Sequence, residues 1–167
     1  MNRSKFTPLL VLSLALGMAG CQSADSTDGV DEKPMTQLVS TQLMFIGNAE
    51  EAMNLYVSTL PDSRVVSIER YGPNETGTEG SIKLAVFSLM GNEVRCIDSN
   101  IKHDFTFTPS MSLFVTCRSE AEIDALAAKL SEGGEVLMPL DSYGFSKRFT
   151  FVADRFGVSW QLNLPND

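Results

Sequence analysis

Two stretches of this chain share one pattern: Leu38–Leu60, LVSTQLMFIGNAEEAMNLYVSTL, and Ser110–Leu130, SMSLFVTCRSEAEIDALAAKL. Each opens on a β-rich run, Leu38–Phe45 or Ser110–Cys117, and then reaches a polar residue suited to capping a helix, Asn48 or Ser119. Three positions beyond each cap stands a glutamate, Glu51 or Glu122, the spacing of a capping box. Apolar residues then recur with helical period: Ala49, Ala52, Met53, Tyr56 and Leu60 in the first stretch, Ile123, Leu126, Ala127 and Leu130 in the second. Pro61-Asp62 stops the first helix and Gly133-Gly134 the second.

Three strand-like runs follow each helix. They are Ser63–Tyr71, Ser81–Leu89 and Glu93–Asp98 in the first half, and Val136–Leu140, Lys147–Ala153 and Val158–Leu164 in the second, with a tight turn expected at Gly91-Asn92. The two caps lie 71 positions apart, so the pattern predicts one β-α-β-β-β unit used twice, an α+β domain over residues 38–165.

The composition agrees with that reading. Of 167 residues, 43% are hydrophobic and 20% charged, too apolar for disorder throughout. A formal net charge of −8 excludes a nucleic-acid partner, since phosphate binding calls for a basic surface.

The first twenty residues stand apart from the fold. Arg3 and Lys5 precede an apolar run, Leu9–Ala19, too short to span a bilayer permanently, which reads as a secretory signal over residues 1–20. Met18-Ala19-Gly20-Cys21 resembles the bacterial lipobox, which implies diacylglyceryl attachment to Cys21. Gln22 rather than Asp at the next position is similar to Gram-negative lipoproteins of the outer membrane, so the expected location is the cell envelope, facing the periplasm. Cleavage would remove Arg3 and Lys5 and deepen the charge from −8 to −10, so the membrane anchor would be lipid and not electrostatic attraction. Residues 21–37, rich in Ser, Thr and Asp, are expected as the lipidated Cys and a flexible tether.

The folded part resembles the vicinal oxygen chelate (VOC) superfamily, the glyoxalase and bleomycin-resistance fold, and within it the PhnB-like branch often labelled 3-demethylubiquinone 3-methyltransferase. The matching residues are Gly47–Tyr56, Leu60–Ser63, Arg70–Gly72, His103–Phe105, Leu130–Gly134, Pro139–Ser146 and Asp154–Gln161. The resemblance implies two modules forming a curved, cup-like mixed sheet around a ligand, and a homodimer. Metal-using members of the superfamily place His or Glu on the first strand of each module and Glu on the last. The corresponding positions here are Thr41, Ser110 or Ser112, and Gln161, a set without a strong metal ligand, and the chain has a single histidine. No metal and no cofactor are therefore expected. Nor does Gly77–Gly80, between two strands, have the strand-turn-helix setting of a nucleotide site for methyl transfer.

The expected activity is small-molecule binding without an assignable reaction. The alternative is a metal-dependent glyoxalase- or dioxygenase-like enzyme drawing on His103, Gln161 and an acidic residue. His103 either anchors a ligand at the cup mouth or pins the 99–109 loop. Tyr143 and Phe145 are candidates for the wall of the cup, as is Trp160, with Thr41, Tyr71 and Gln161 as polar contributors. Cys96 and Cys117 are expected as buried free thiols, although an oxidising compartment permits a bridge.

Overall fold

A computed structural model of the chain describes residues 39–166. The signal segment 1–20, Cys21, the tether and Leu38 lie outside the described residues. The first module comprises β1 (Thr41–Phe45), α1 (Ala49–Thr59), β2 (Arg64–Arg70), β3 (Ile82–Leu89) and β4 (Asn92–Asp98). The second comprises β5 (Leu113–Thr116), α2 (Glu120–Ser131), β6 (Glu135–Tyr143), β7 (Ser146–Ala153) and β8 (Ser159–Leu164). Each module folds into one four-stranded mixed sheet, ordered β1-β4-β3-β2 and β5-β8-β7-β6. In both, the first strand runs parallel to the last and the other pairings are antiparallel. The β-α-β-β-β repeat is thus present twice.

Alternation decides which face of each strand meets the core. Val94, Cys96 and Asp98 on β4 are buried, as are their neighbours Leu43 and Phe45 on β1, while Arg95 and Ile97 lie on the opposite face beside Gln42 and Met44. In the second module Trp160, Leu162 and Leu164 are buried, and Gln161 and Asn163 take the other side. The apolar faces of α1 and α2 join these strands in one continuous cluster. Tyr56 of α1 reaches across to Trp160 of β8, their rings 4.9 Å apart.

Several local expectations are corrected. Asn48 precedes α1 but makes no side-chain cap. That role falls to Asp98, whose carboxylate accepts from Ala49 N at 3.0 Å and from Ile82 N at 3.1 Å, fastening helix, β3 and β4 together. At α2, Ser119 does cap, accepting from Glu122 N at 3.2 Å, while Glu122 reaches back to Arg118 N rather than to Ser119 N. The β3–β4 turn is Met90-Gly91, with φ of 50° and 89°, one residue earlier than expected, because Leu89 pairs with Asn92. β5 is shorter than its β-rich run, because residues before Leu113 turn, with Met111 N donating to Thr108 O. β6 is longer despite Pro139, which the edge position of the strand tolerates. Gly144-Phe145 alone separates β6 from β7, so Tyr143–Ser146 is the tight end of a hairpin. Cys96 and Cys117 are both free and buried.

Candidate functional site

A cavity of about 420 Å³ opens between β1 and the segment from His103 to Leu113. β1 is the edge of its sheet, and every residue from Thr41 to Ile46 contributes to the lining, so the cavity runs along the open side of that strand. Phe156, Val158 and Ser159 close the far wall. Phe45 is central to it: its ring lies 5.1 Å from Phe107 and 6.4 Å, edge-on, from Phe156. Among the described residues, the lining holds no Asp, Glu, Lys or Arg. Ile46, Phe105 and Met111 stand exposed at the rim.

Two side-chain arrangements hold this architecture in place. The far wall hangs from Asp154, itself buried. One carboxylate oxygen accepts from Phe156 N at 2.9 Å and Val158 N at 3.0 Å; the other accepts from Tyr56 Oη at 2.7 Å and Trp160 Nε1 at 2.9 Å. The turn after Asp154 is closed by Gly157 N donating to Asp154 O, with Gly157 at φ 88°, where a side chain would be strained. Phe107 lies against this glycine, which gives the ring its seat. Burial, and then the Asp154 charge, pushes the Tyr56 hydroxyl well above the ordinary phenol range, so it remains a donor.

The opposite wall is tied at Ser99. Ser99 N donates to Phe45 O at 2.7 Å, Ile101 N donates to Ser99 Oγ at 3.2 Å, and Ser99 Oγ donates to Ile101 O at 3.1 Å. His103 Nε2 meets the same Oγ at 2.9 Å. The His103 ring stacks on Phe105 at 4.8 Å.

The sequence-predicted residues separate into groups. Thr41 and His103 line the cavity. Gln161 lies behind the lining: its Nε2 donates to Ser112 Oγ at 2.8 Å, joining β8 to the segment entering β5. Trp160 sits in the core at 1% exposure, on the opposite face of β8 from Gln161. Tyr71 is elsewhere, its ring packed over Gly77 in the β2–β3 loop, and it is not part of this lining. Tyr143 and Phe145 stack at 5.7 Å and meet Phe149 edge-on at the β6–β7 hairpin, also away from the cavity lining. Sequence reasoning passed over Phe45, Phe107, Phe156 and Ser159. The signal that points to the first two is the Phe105-Thr106-Phe107-Thr108 alternation beside an edge strand. Among the described residues, no three of His, Cys, Asp and Glu converge as a metal-binding group.

No functionally curated protein matches the chain. A PhnB protein from Bacillus cereus is 55% identical, covering 77% of this chain and 99% of its own, with a TM-score of 0.75. Protein PA1353 from Pseudomonas aeruginosa is 25% identical over 79% of this chain and 100% of its own, at a TM-score of 0.69. A glyoxylase/bleomycin resistance protein/dioxygenase domain from Frankia, 14% identical over 79% of this chain and 99% of its own, shares the fold at a TM-score of 0.56. The family model described as 3-demethylubiquinone-9 3-methyltransferase matches residues 37–163. With two β-α-β-β-β sheets and a match across nearly the whole described domain, the chain belongs to that PhnB-like family of the VOC superfamily.

Proposed function

We propose that this domain binds a small organic molecule in the cavity along β1, without a resident metal ion. The observation that carries the reading is the cavity itself: a pocket of about 420 Å³ with phenylalanine walls and a few neutral polar groups, the usual make-up of a small-molecule site. The positions that correspond to the ligands of metal-using members of the superfamily are occupied here by Thr41, Ser110 or Ser112, and Gln161, and the Gln161 amide is already engaged with Ser112. The alternative, a metal-dependent enzyme drawing on His103, Gln161 and a carboxylate, needs an acidic donor, and the described residues of the cavity lining include none. Methyl transfer, which the family description names, needs an adenosylmethionine site; the glycine-rich Gly77–Gly80 lies between β2 and β3, not ahead of a helix.

The same proposal places the domain at a bacterial membrane, facing the periplasm, through lipid on Cys21, supported by the Met18–Cys21 motif. It also includes a homodimer: β2 is exposed along its whole length, with Val65, Val66 and Ile68 uncovered, and a second copy would bury them.

The test is titration with the uncharged fluorophore N-phenyl-1-naphthylamine in the presence of EDTA, with amide shifts recorded in parallel. Saturable one-to-one binding, unaffected by chelator and shifting residues 41–46 and 103–113, is expected. Absence of saturable binding, or binding abolished by EDTA, would overturn the reading.

A further inference from the structure

We propose that the cavity selects an uncharged, ring-bearing molecule and that Ser159 is its polar anchor. This deepens the reading above and rests on the cavity being a binding site. A carboxylate or ammonium entering it would lose water without meeting a counter-charge, because the lining contains no Asp, Glu, Lys or Arg among the described residues. The acidic surface of the chain, at −8, adds long-range repulsion against anions. The titratable side chain on the lining, His103, has Nε2 committed to Ser99.

The walls favour a flat apolar body. Phe45 and Phe107 stand tilted by 57° and Phe45 and Phe156 by 85°, an arrangement in which an added ring finds both a face and an edge. At about 420 Å³ the cavity suits a two-ring molecule with a short substituent.

Ser159 supplies what that substituent would need. The residue is 1% exposed, belongs to the cavity wall, and its Oγ has no hydrogen-bond partner in the protein. Buried polar atoms are almost always paired, as the fully buried Ser146 is: its Oγ donates to Leu164 O at 2.8 Å. The lining Ser112 is paired as well, receiving the Gln161 amide. A ligand hydroxyl or carbonyl at the far wall would pair this buried hydroxyl, and a ligand lacking such a group would leave it unmatched.

The experiment is displacement of N-phenyl-1-naphthylamine from the protein at pH 7 by naphthalene, 2-naphthol, naphthalene-2-sulfonate and 2-naphthylmethylammonium, repeated with Ser159→Ala. In the parent, 2-naphthol is expected to bind about fivefold more tightly than naphthalene, and the sulfonate and the ammonium at least about tenfold more weakly than 2-naphthol. Ser159→Ala should abolish the advantage of 2-naphthol and leave naphthalene unchanged. A thermal melt no lower than that of the parent shows the variant folded, since the substitution removes an unpaired hydroxyl. If the reporter itself does not bind, the binding-site reading fails and this inference with it. If charged and neutral probes compete equally, or 2-naphthol keeps its advantage in Ser159→Ala, this inference fails and the binding-site reading stands.

Discussion

Tyr56→Phe tests whether the two modules are locked together through one buried carboxylate. The substitution deletes the 2.7 Å bond to Asp154, a partner 98 positions away, and keeps the ring that meets Trp160. A hydrogen bond to a charged group contributes about 1.5–3 kcal/mol, so a loss of ~2 kcal/mol is expected. With a urea dependence of about 2 kcal/mol/M, the unfolding midpoint should fall by about 1 M with unchanged slope. The single tryptophan, Trp160, is a fluorescence reporter inside the same network.

Asp154→Asn should cost more. Each carboxylate oxygen accepts from two donors, so an amide in either orientation points its NH2 at two of them. A loss of at least ~3 kcal/mol is expected, together with weaker binding of N-phenyl-1-naphthylamine in whatever remains folded, because the wall bearing Phe156 and Ser159 hangs from this side chain. If Tyr56→Phe unfolds within ~0.5 kcal/mol of the parent, the carboxylate does not hold the modules in the way argued.

Four further outcomes are expected. Burial pushes the thiol of Cys96 up to about 12 and that of Cys117 up to about 11, so neither should react with Ellman's reagent at pH 8 until the protein unfolds. Because these folded values lie above the ordinary 9.0, their stabilising contribution is complete below pH 9 and is lost as pH rises towards 11–12; urea midpoints should fall across that range, and less steeply in Cys96→Ala. Gly134→Ala would place a methyl 2.1 Å from Ala153 O, a backbone atom, so a loss of ~3 kcal/mol or failure to fold is expected in thermal melts. Cys21→Ser should move the protein from the membrane fraction to the soluble envelope fraction and abolish labelling by radioactive palmitate; continued membrane association would contradict the lipid anchor.

The architecture was legible because its signals are local. Cap residue, helical period and stop signal sit within about twenty positions of one another and occur twice, at Asn48–Pro61 and Ser119–Gly133. Where a partner came from far along the chain, local reading failed: α1 is capped by Asp98, 49 positions from the amide that it accepts, and not by the adjacent Asn48. The cavity was less legible for the same reason. It lies between the open side of β1 and a segment without regular period, so Phe107 and Phe45 meet only through the fold. Trp160 shows the sensitivity to register: one position along β8 separates a residue in the core from Gln161, which reaches the lining through Ser112. His103 pins its loop through Ser99, one of the two readings given for it, and also lines the cavity.

The central claim, small-molecule binding without a resident metal, is tested most directly by native mass spectrometry of the intact protein, purified without chelator and mixed with N-phenyl-1-naphthylamine. The account predicts one probe molecule per chain and no stoichiometric divalent ion. One divalent ion on every chain, lost in Gln161→Ala together with probe binding, would contradict it.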